Sequence, residues 1–175
     1  LLSVRGIQEQ YSIVTGTHIN ELSKNGLYAQ QILEKAQNND QQAKETLAET
    51  GKNLGKLFFE RIETIACGWQ KRFNFINPER KDLIPEHDYL GTCLDQGIIG
   101  QRLGELLSRD IGSRIIWQEL ESTIFFMMAN TDHLPRTFKS NFNPKTFFRI
   151  SNLRDAPALG AGISAWKTFM KKNNA

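Results

Sequence analysis

The segment that most constrains the fold is a long amphipathic stretch that begins after Asp40. Its apolar residues recur every three or four positions from Ala43 to Ile65, the spacing that gathers side chains on one face of an α-helix. Asp40 is predicted to cap this helix, because a short carboxylate accepts hydrogen bonds from free backbone N–H groups of the first turn. Gly51 and Gly55 share one side of the helix. Since glycine costs about 1 kcal/mol relative to alanine there, the pair predicts a closely packed neighbour.

Other segments also have helical character. Residues 1–17 are predicted as a short helix followed by a loop, and residues 27–37 as a helix. Residues 114–130 form a second strong helical pattern. Its predicted core face comprises Ile116, Leu120, Ile124, Met127 and Met128. Methionine and aliphatic stripes of this kind usually pack into a core rather than around a cofactor.

A strand, a turn and a helix are predicted in succession after an insertion. Residues 66–88 mix charge, aromatic rings and proline, and are predicted to be an inserted loop. Residues 89–94 have the composition of a strand, residues 95–97 that of a turn, and residues 98–107 the spacing of a helix. This succession places backbone N–H groups at a helix N-terminus, where an anion or a nucleotide can be held.

The end of the chain is predicted as a strand, a polar loop and a closely packed helix. The stretch 146–166 opens with Phe147, Phe148 and Ile150 and ends in a segment rich in small residues, including Gly160 and Gly162. Asp155, in the loop, is either an active carboxylate or a helix cap. The whole order of elements indicates an α/β fold with few strands.

Length and charge narrow the classes of protein. A chain of 175 residues fits one domain, here residues 1–175. Lysine and arginine number 22 against 19 acidic residues, a net charge of +3, and the basic residues are scattered, so nucleic acid is not indicated as a partner. No apolar run approaches the roughly 18 residues of a membrane span. We therefore expect a soluble, cytoplasmic protein without a membrane partner.

Cysteine and histidine residues do not suggest a metal or a disulfide framework. Cys67 and Cys93 stand far apart, which indicates a reducing compartment. His18, His87 and His133 share no spacing typical of metal ligands. No metal-binding residue is predicted.

Four segments, taken in order, resemble the C-terminal part of glucokinases and ROK-type sugar kinases, which belong to the superfamily that also contains actin. They are GIQEQY at residues 6–11 with Thr15 and Gly16, NDQQAKETLAETGKNLGKLFFERI at 39–62, LDQGIIGQRL at 94–103, and LRDAPALGAGIS at 153–164. The resemblance implies the helix-rich C-terminal lobe of a ribonuclease-H-like kinase fold.

The chain also departs from that family. Gln96 and Gly97 stand where the family has two glycines, the zinc-binding cysteine cluster of ROK members is absent, and a loop is inserted before the nucleotide strand. These residues contain neither an Asp-x-Gly-Gly-Thr phosphate loop nor a catalytic aspartate loop. No catalytic residue is therefore assigned, and the chain alone should not catalyse.

The resemblance implies a part of an ATP-dependent kinase of glucose-type hexoses. Gln96, Gly97 and Ile98 would lie against the adenosine, and Glu9 would contact the sugar. The spacing from Glu9 to Thr15 and Gly16 is longer than the family pattern, which favours an exposed helix carboxylate at Glu9 over a sugar contact. The implied cofactors are ATP and Mg²⁺. The implied partners are the sugar and a missing N-terminal lobe, with a homodimer as a further expectation.

Two alternatives remain beside the kinase. One is a non-catalytic regulator or interaction module that keeps the lobe as a scaffold, suggested by the Gln96–Gly97 turn and the aromatic, basic segment at residues 69–75. The other is an ATPase that resembles the activators of acyl-CoA dehydratases. Such proteins hold an iron–sulfur cluster through several cysteines, so two separated cysteines disfavour it.

Overall fold

A computed structural model describes residues 3–68, residues 90–151 and Trp166, without the side chains of Gln101 and of residues 111–113. The helices are α1 (Val4–Thr15), α2 (Ile19–Lys24), α3 (Ala29–Gln37), α4 (Gln41–Cys67), α5 (Gln101–Leu107), α6 (Asp110–Ala129), α7 (Arg136–Asn141) and α8 (Pro144–Phe147). The strands are β1 (Gly97–Ile99) and β2 (Phe148–Ile150). The predictions for His87, for Asp155 and for the closing small-residue helix lie outside the described residues.

The long helix predicted after Asp40 is confirmed. Helix α4 extends over 27 residues, and the Asp40 carboxylate accepts a hydrogen bond of 2.9 Å from the Ala43 backbone N–H. Its buried face includes Leu47, Leu54 and Ile62, as the spacing predicts. The helix continues to Cys67, so the first two residues of the predicted insertion are helical, and residues 69–88 lie outside the description.

The two glycines of α4 lie against α6, as predicted from their shared side. A Cβ atom on Gly51 would stand 2.5 Å from the Ile116 carbonyl oxygen, and one on Gly55 would stand 2.9 Å from the Leu120 carbonyl oxygen. These are backbone atoms, so no side-chain rotation relieves the contact. The absence of side chains thus lets the two longest described helices approach closely, and α4 makes its main interface with α6.

Helix α6 confirms the second strong helical pattern and begins four residues earlier than predicted. Ile116, Leu120, Ile124 and Met128 are buried, and Met127 is half-buried against them. Helices α1 and α3 pack on α4 from another side, and both were predicted. The described part of the molecule is thus organised around α4.

The predicted strand at residues 89–94 is wrong over its described residues, which form a turn and irregular backbone. Gly91 has a φ of 81° and donates its N–H to the Ala66 carbonyl at 2.9 Å, a left-handed conformation that glycine adopts without strain. The chain therefore turns back onto the end of α4 where an extended strand was expected.

Strand β1 occupies the positions predicted as the end of a turn and the start of a helix. It pairs in parallel with β2, with Gly97, Ile98 and Ile99 opposite Phe148, Arg149 and Ile150. The β-branched Ile98 and Ile99 suit a strand. Helix α5 begins at Gln101, after Gly100 as its cap. The predicted succession of strand and helix thus exists, but it is displaced along the chain.

The segment before β2 also differs from the prediction. The two prolines and the polar side chains of residues 131–144 favour an irregular connection. The structure instead forms α7 within them, and Phe147 ends α8 instead of opening the strand. The described residues show a helix-rich α/β arrangement with a two-stranded parallel sheet. Among them, no helix combines the length and apolarity that crossing a membrane requires.

We predict that the Asp40→Ala variant loses about 1 kcal/mol of unfolding free energy, because a carboxylate cap is removed. The hydrogen bond from Ala43 lowers the pKa of Asp40 below 3.8, and the ion pair with Lys35 at 3.3 Å lowers it further. A lowered folded-state pKa means that this stabilisation is present above about pH 4 and is lost as the pH falls through the folded pKa. Urea unfolding at pH 7 and at pH 3 should therefore show a smaller difference between wild type and variant at pH 3. An equal loss at both pH values would contradict the role of the ionised cap.

Candidate functional site

A cavity of about 390 Å³ lies between the segment leading into β1 and the stretch from α7 to β2. Its lining comprises Leu94, Asp95, Gln96, Phe138, Asn141, Phe142, Asn143, Thr146, Phe147 and Arg149. The volume falls near the lower end of the range typical of small-molecule sites. Parallel pairing of β1 with β2 creates the cavity, because it brings residues 94–96 beside residues 138–149.

Three phenyl rings form one wall of the cavity. Phe138 and Phe142 have ring centroids 5.7 Å apart, and Phe142 and Phe147 have centroids 4.9 Å apart. Phe142 and Phe147 are buried, whereas Phe138 is half-buried. Phe147 in turn meets Phe148 edge to face at 4.9 Å, which joins this wall to the core. The planes of Phe138 and Phe142 are tilted by 53° and those of Phe142 and Phe147 by 49°. A flat ligand can therefore stack on one ring, and Phe138 is the most exposed of the three.

The rest of the lining is polar. The Asn143 side-chain oxygen accepts the Lys145 backbone N–H at 3.0 Å and so caps the short helix α8. Asp95 and Arg149 bring opposite charges to the cavity, and both are exposed. Arg149 is the cationic member of the lining. An aromatic wall with amides and two separated charges can accept a ligand that has both a flat ring and an anionic end.

The predicted nucleotide-binding residues are consecutive, but they do not share one environment. Gln96 lines the cavity, whereas Ile98 is 68% exposed and is not part of the lining. Gly97 lies in β1, where an added Cβ would stand 2.9 Å from the ring of Phe148. The packing of this ring already accounts for a glycine at that position. Because α5 begins at Gln101, none of the three residues lies in a turn that directly opens a helix.

Glu9, the predicted sugar contact, lies on α1 and outside this cavity. Its carboxylate forms an ion pair of 3.3 Å with Arg5, one helical turn earlier, and its side chain is 42% exposed. This geometry matches the alternative interpretation of an exposed helix carboxylate. The structure does not bring Glu9 and Gln96 into one described cavity.

Cys93 lies close to the cavity segment and is half-buried. Burial raises the pKa of its thiol, and the negative charge of Asp95 raises that pKa further. A raised thiol pKa disfavours the thiolate at neutral pH, so Cys93 is a poor nucleophile. The effect also shows that the charge of Asp95 acts on this end of the segment.

A second polar cluster joins the end of α4 to the loop after α6. The Thr131 hydroxyl donates to the Glu63 carboxylate, whose side chain is 3% exposed. His133 Nδ1 lies 3.2 Å from the same carboxylate oxygen, and Lys139 Nζ donates to the Thr131 carbonyl at 2.7 Å. His18, by contrast, caps α2 by accepting the Asn20 backbone N–H. We assign both histidines structural contacts.

A larger cavity of about 620 Å³ lies between the start of α4 and α6. Lys44 and Arg114 contribute positive charge to its lining, and Glu45 and Asp110 contribute negative charge. Lys44 is already engaged with the Asn39 side-chain oxygen at 2.7 Å. Because the charges are mixed and the described lining residues include no aromatic ring, this cavity indicates no particular ligand.

Sequence reasoning missed the aromatic wall and the buried carboxylate. The pair Phe138 and Phe142, four residues apart, is a helical spacing within a segment interpreted as a loop. Glu63 lies one turn after Phe59 on the buried face of α4, so its position on the apolar stripe was a readable signal. The sequence did not indicate which residues contact Glu63, because these residues lie far along the chain.

A scan against protein-family models, a search of curated proteins and a search of solved structures each found no match to this chain.

Proposed function

We propose that the chain binds a nucleotide in the cavity beside β1, as the nucleotide-binding part of an ATP-dependent hexose kinase. The observation that carries the proposal is that Gln96, from the segment that resembles a nucleotide-binding turn, lines a cavity with three phenyl rings. A purine base is flat and stacks on aromatic side chains, which contributes about 1–3 kcal/mol per base.

In this proposal the base lies on the phenyl wall and the ribose faces the polar lining. Phe138 is half-buried, so part of its ring remains available to a ligand. The amides of Gln96 and Asn141 can each donate and accept hydrogen bonds from the base edge or the ribose. Asp95 can accept from ribose hydroxyls. Binding of this kind uses positioning alone and requires no catalytic group in this chain.

The described residues offer no complete site for the implied Mg²⁺. Within residues 3–68 and 90–151, no group of three His, Cys, Asp or Glu residues is placed to hold a metal ion. The hexose and the catalytic base belong, in the same proposal, to the partner lobe, so phosphoryl transfer is a property of the assembled kinase and not of this chain.

We predict that the Phe138→Ala variant binds ADP about tenfold more weakly than wild type, because it removes the accessible part of the stacking surface. Isothermal titration calorimetry of the full chain with ADP measures the effect. Phe126→Ala is the matched control, since Phe126 is 70% exposed on α6 and lies outside the cavity lining. Phe138→Tyr, which keeps the ring, should retain affinity.

Two outcomes would count against the proposal. Absence of ADP and ATP binding to the wild-type chain at millimolar concentration rules out the nucleotide site, and equal losses in Phe138→Ala and Phe126→Ala rule out this location. The kinase assignment has its own test, which is hexose-dependent release of ADP from ATP by the intact gene product. If the chain binds a nucleotide but the intact gene product shows no hexose-dependent release of ADP, the nucleotide site is supported and the kinase assignment is rejected.

The alternative is an interaction module, and exposed apolar side chains favour it. Ile98 is 68% exposed on β1, and Phe126 is 70% exposed on α6. Single exposed apolar residues are common on protein surfaces, so they support this candidate less than the cavity supports the first. Phosphorylation activity in the intact gene product would count against it.

A further inference from the structure

We propose that Arg149 makes the cavity select nucleotides over nucleosides, by binding the phosphate groups of the ligand. The inference rests on the proposed nucleotide site and assigns a specificity-determining role that the resemblance did not supply. It follows from the position of Arg149 in β2, from the size of the cavity and from the distribution of charge in its lining.

The backbone of Arg149 is held by the parallel sheet. Arg149 pairs with Ile98 in the register of β1 with β2. Phe148, its neighbour before, is buried in the core, and Arg149 is exposed on the opposite face because side chains alternate along a strand. A strand position fixes the direction of the side chain better than a loop does. Arg149 thus contributes to the lining of the cavity from a backbone position that the sheet holds.

The charges of the lining decide where the phosphates of a nucleotide can lie. A space of about 390 Å³ is close to the lower limit for small-molecule sites, so a bound phosphate lies near the charges that line it. Among the described residues of the lining, Arg149 is cationic and Asp95 is anionic. Phosphate groups are therefore attracted toward Arg149 and repelled by the Asp95 carboxylate.

The chemistry of arginine fits this role. Its planar guanidinium donates paired hydrogen bonds to two phosphate oxygens and keeps its charge at any physiological pH. Within residues 3–68 and 90–151, no ion pair engages the Arg149 side chain. Binding a phosphate would therefore not require the loss of an existing ion pair among the described residues.

The test is calorimetric titration of the full chain with adenosine, AMP and ADP. Wild type should bind ADP about tenfold more tightly than adenosine. In Arg149→Ala the affinity for ADP should fall about tenfold and that for adenosine should stay within about twofold. Arg149→Lys should recover part of the preference, because lysine keeps the charge but lacks the paired donors. Arg136→Ala, which removes an exposed arginine of α7 outside the lining, should change neither affinity.

The outcomes separate this inference from the proposed function. If wild type binds none of the three ligands, the nucleotide site itself fails and the inference fails with it. If adenosine binds but Arg149→Ala keeps the full preference for ADP, the site stands and the role of Arg149 is overturned. Inorganic phosphate should compete with ADP at least about a hundredfold more weakly than AMP does, because it lacks the stacking base. Equal competition would identify a site for free phosphate and would also overturn the inference.

Discussion

Replacing Gly51 and Gly55 together with alanine should lower the free energy of unfolding by about 2–4 kcal/mol, the largest loss expected from methyl-sized changes in this chain. Each new Cβ would stand less than 3.0 Å from a carbonyl oxygen of α6. Overpacking costs about 1–3 kcal/mol per site, and contact with rigid backbone atoms belongs to the upper part of that range, about 2–3 kcal/mol. The better helix propensity of alanine returns about 1 kcal/mol per site. The steric term is the larger one, since backbone atoms cannot rotate away.

Urea unfolding followed by far-ultraviolet circular dichroism measures this loss. Lys56→Ala is the matched control, because it places an alanine on the exposed side of the same helix and should change stability by less than about 0.5 kcal/mol. If the free energy of unfolding of the double alanine variant equals or exceeds that of wild type, the gain in helix propensity outweighs the steric cost. That result would mean that α4 and α6 do not approach at these two glycines.

The same interface shows why the helices could be predicted from the sequence. The apolar residues of α4 and of α6 each recur at helical spacing, which is a local pattern. This pattern predicts which face of each helix is buried. Gly51 and Gly55 indicated that another element packs closely against α4, but not which element. Pairing with Ile116 and Leu120 depends on how the chain returns after the predicted insertion, and local spacing contains no information on that.

The strand predicted at the opening of residues 146–166 contains β2, whereas β1 was not predicted, for a related physical reason. Strand β1 has three residues, too few to show a period, and its strand character comes from pairing with β2 some fifty residues later along the chain. Gly97 read as a turn residue because glycine permits turns. In the structure its missing side chain makes room for the ring of Phe148. A glycine thus marks a close approach in both cases, and only the fold decides what approaches.

Among the residues that line the candidate cavity, Gln96 was singled out from the sequence and the three phenyl rings were not. Gln96 was singled out by its resemblance to a nucleotide-binding turn, and it does line a cavity. The phenyl wall arises where α7 and α8 lead into β2. Two of its rings, Phe138 and Phe142, belong to residues 131–144, whose prolines and polar residues suggested a loop. Phe138 and Arg149 join Gln96 through tertiary structure. A single sequence therefore gives the least information on binding residues that come from distant segments.

The Thr131→Val variant should lose about 1.5–3 kcal/mol of unfolding free energy, because it removes a hydrogen bond to a buried charged group. The Thr131 hydroxyl donates to the Glu63 carboxylate and accepts the His133 backbone N–H at 3.1 Å. Valine has nearly the same shape, so packing is kept while both polar contacts are lost. The carboxylate remains at 3% exposure, and water cannot readily replace the lost donor.

Thr50→Val is the matched control for this prediction. Thr50 is also buried, and its hydroxyl donates to the Thr46 carbonyl at 2.8 Å within α4. That partner is neutral and belongs to the helix backbone, so its loss should cost about 0.5–1.5 kcal/mol. Chemical denaturation of both variants, repeated in a Glu63→Gln background, separates the effect of the charge. With the charge removed, the loss from Thr131→Val should shrink toward that of Thr50→Val. An unchanged loss would show that the charge of the Glu63 carboxylate does not strengthen its hydrogen bond from Thr131.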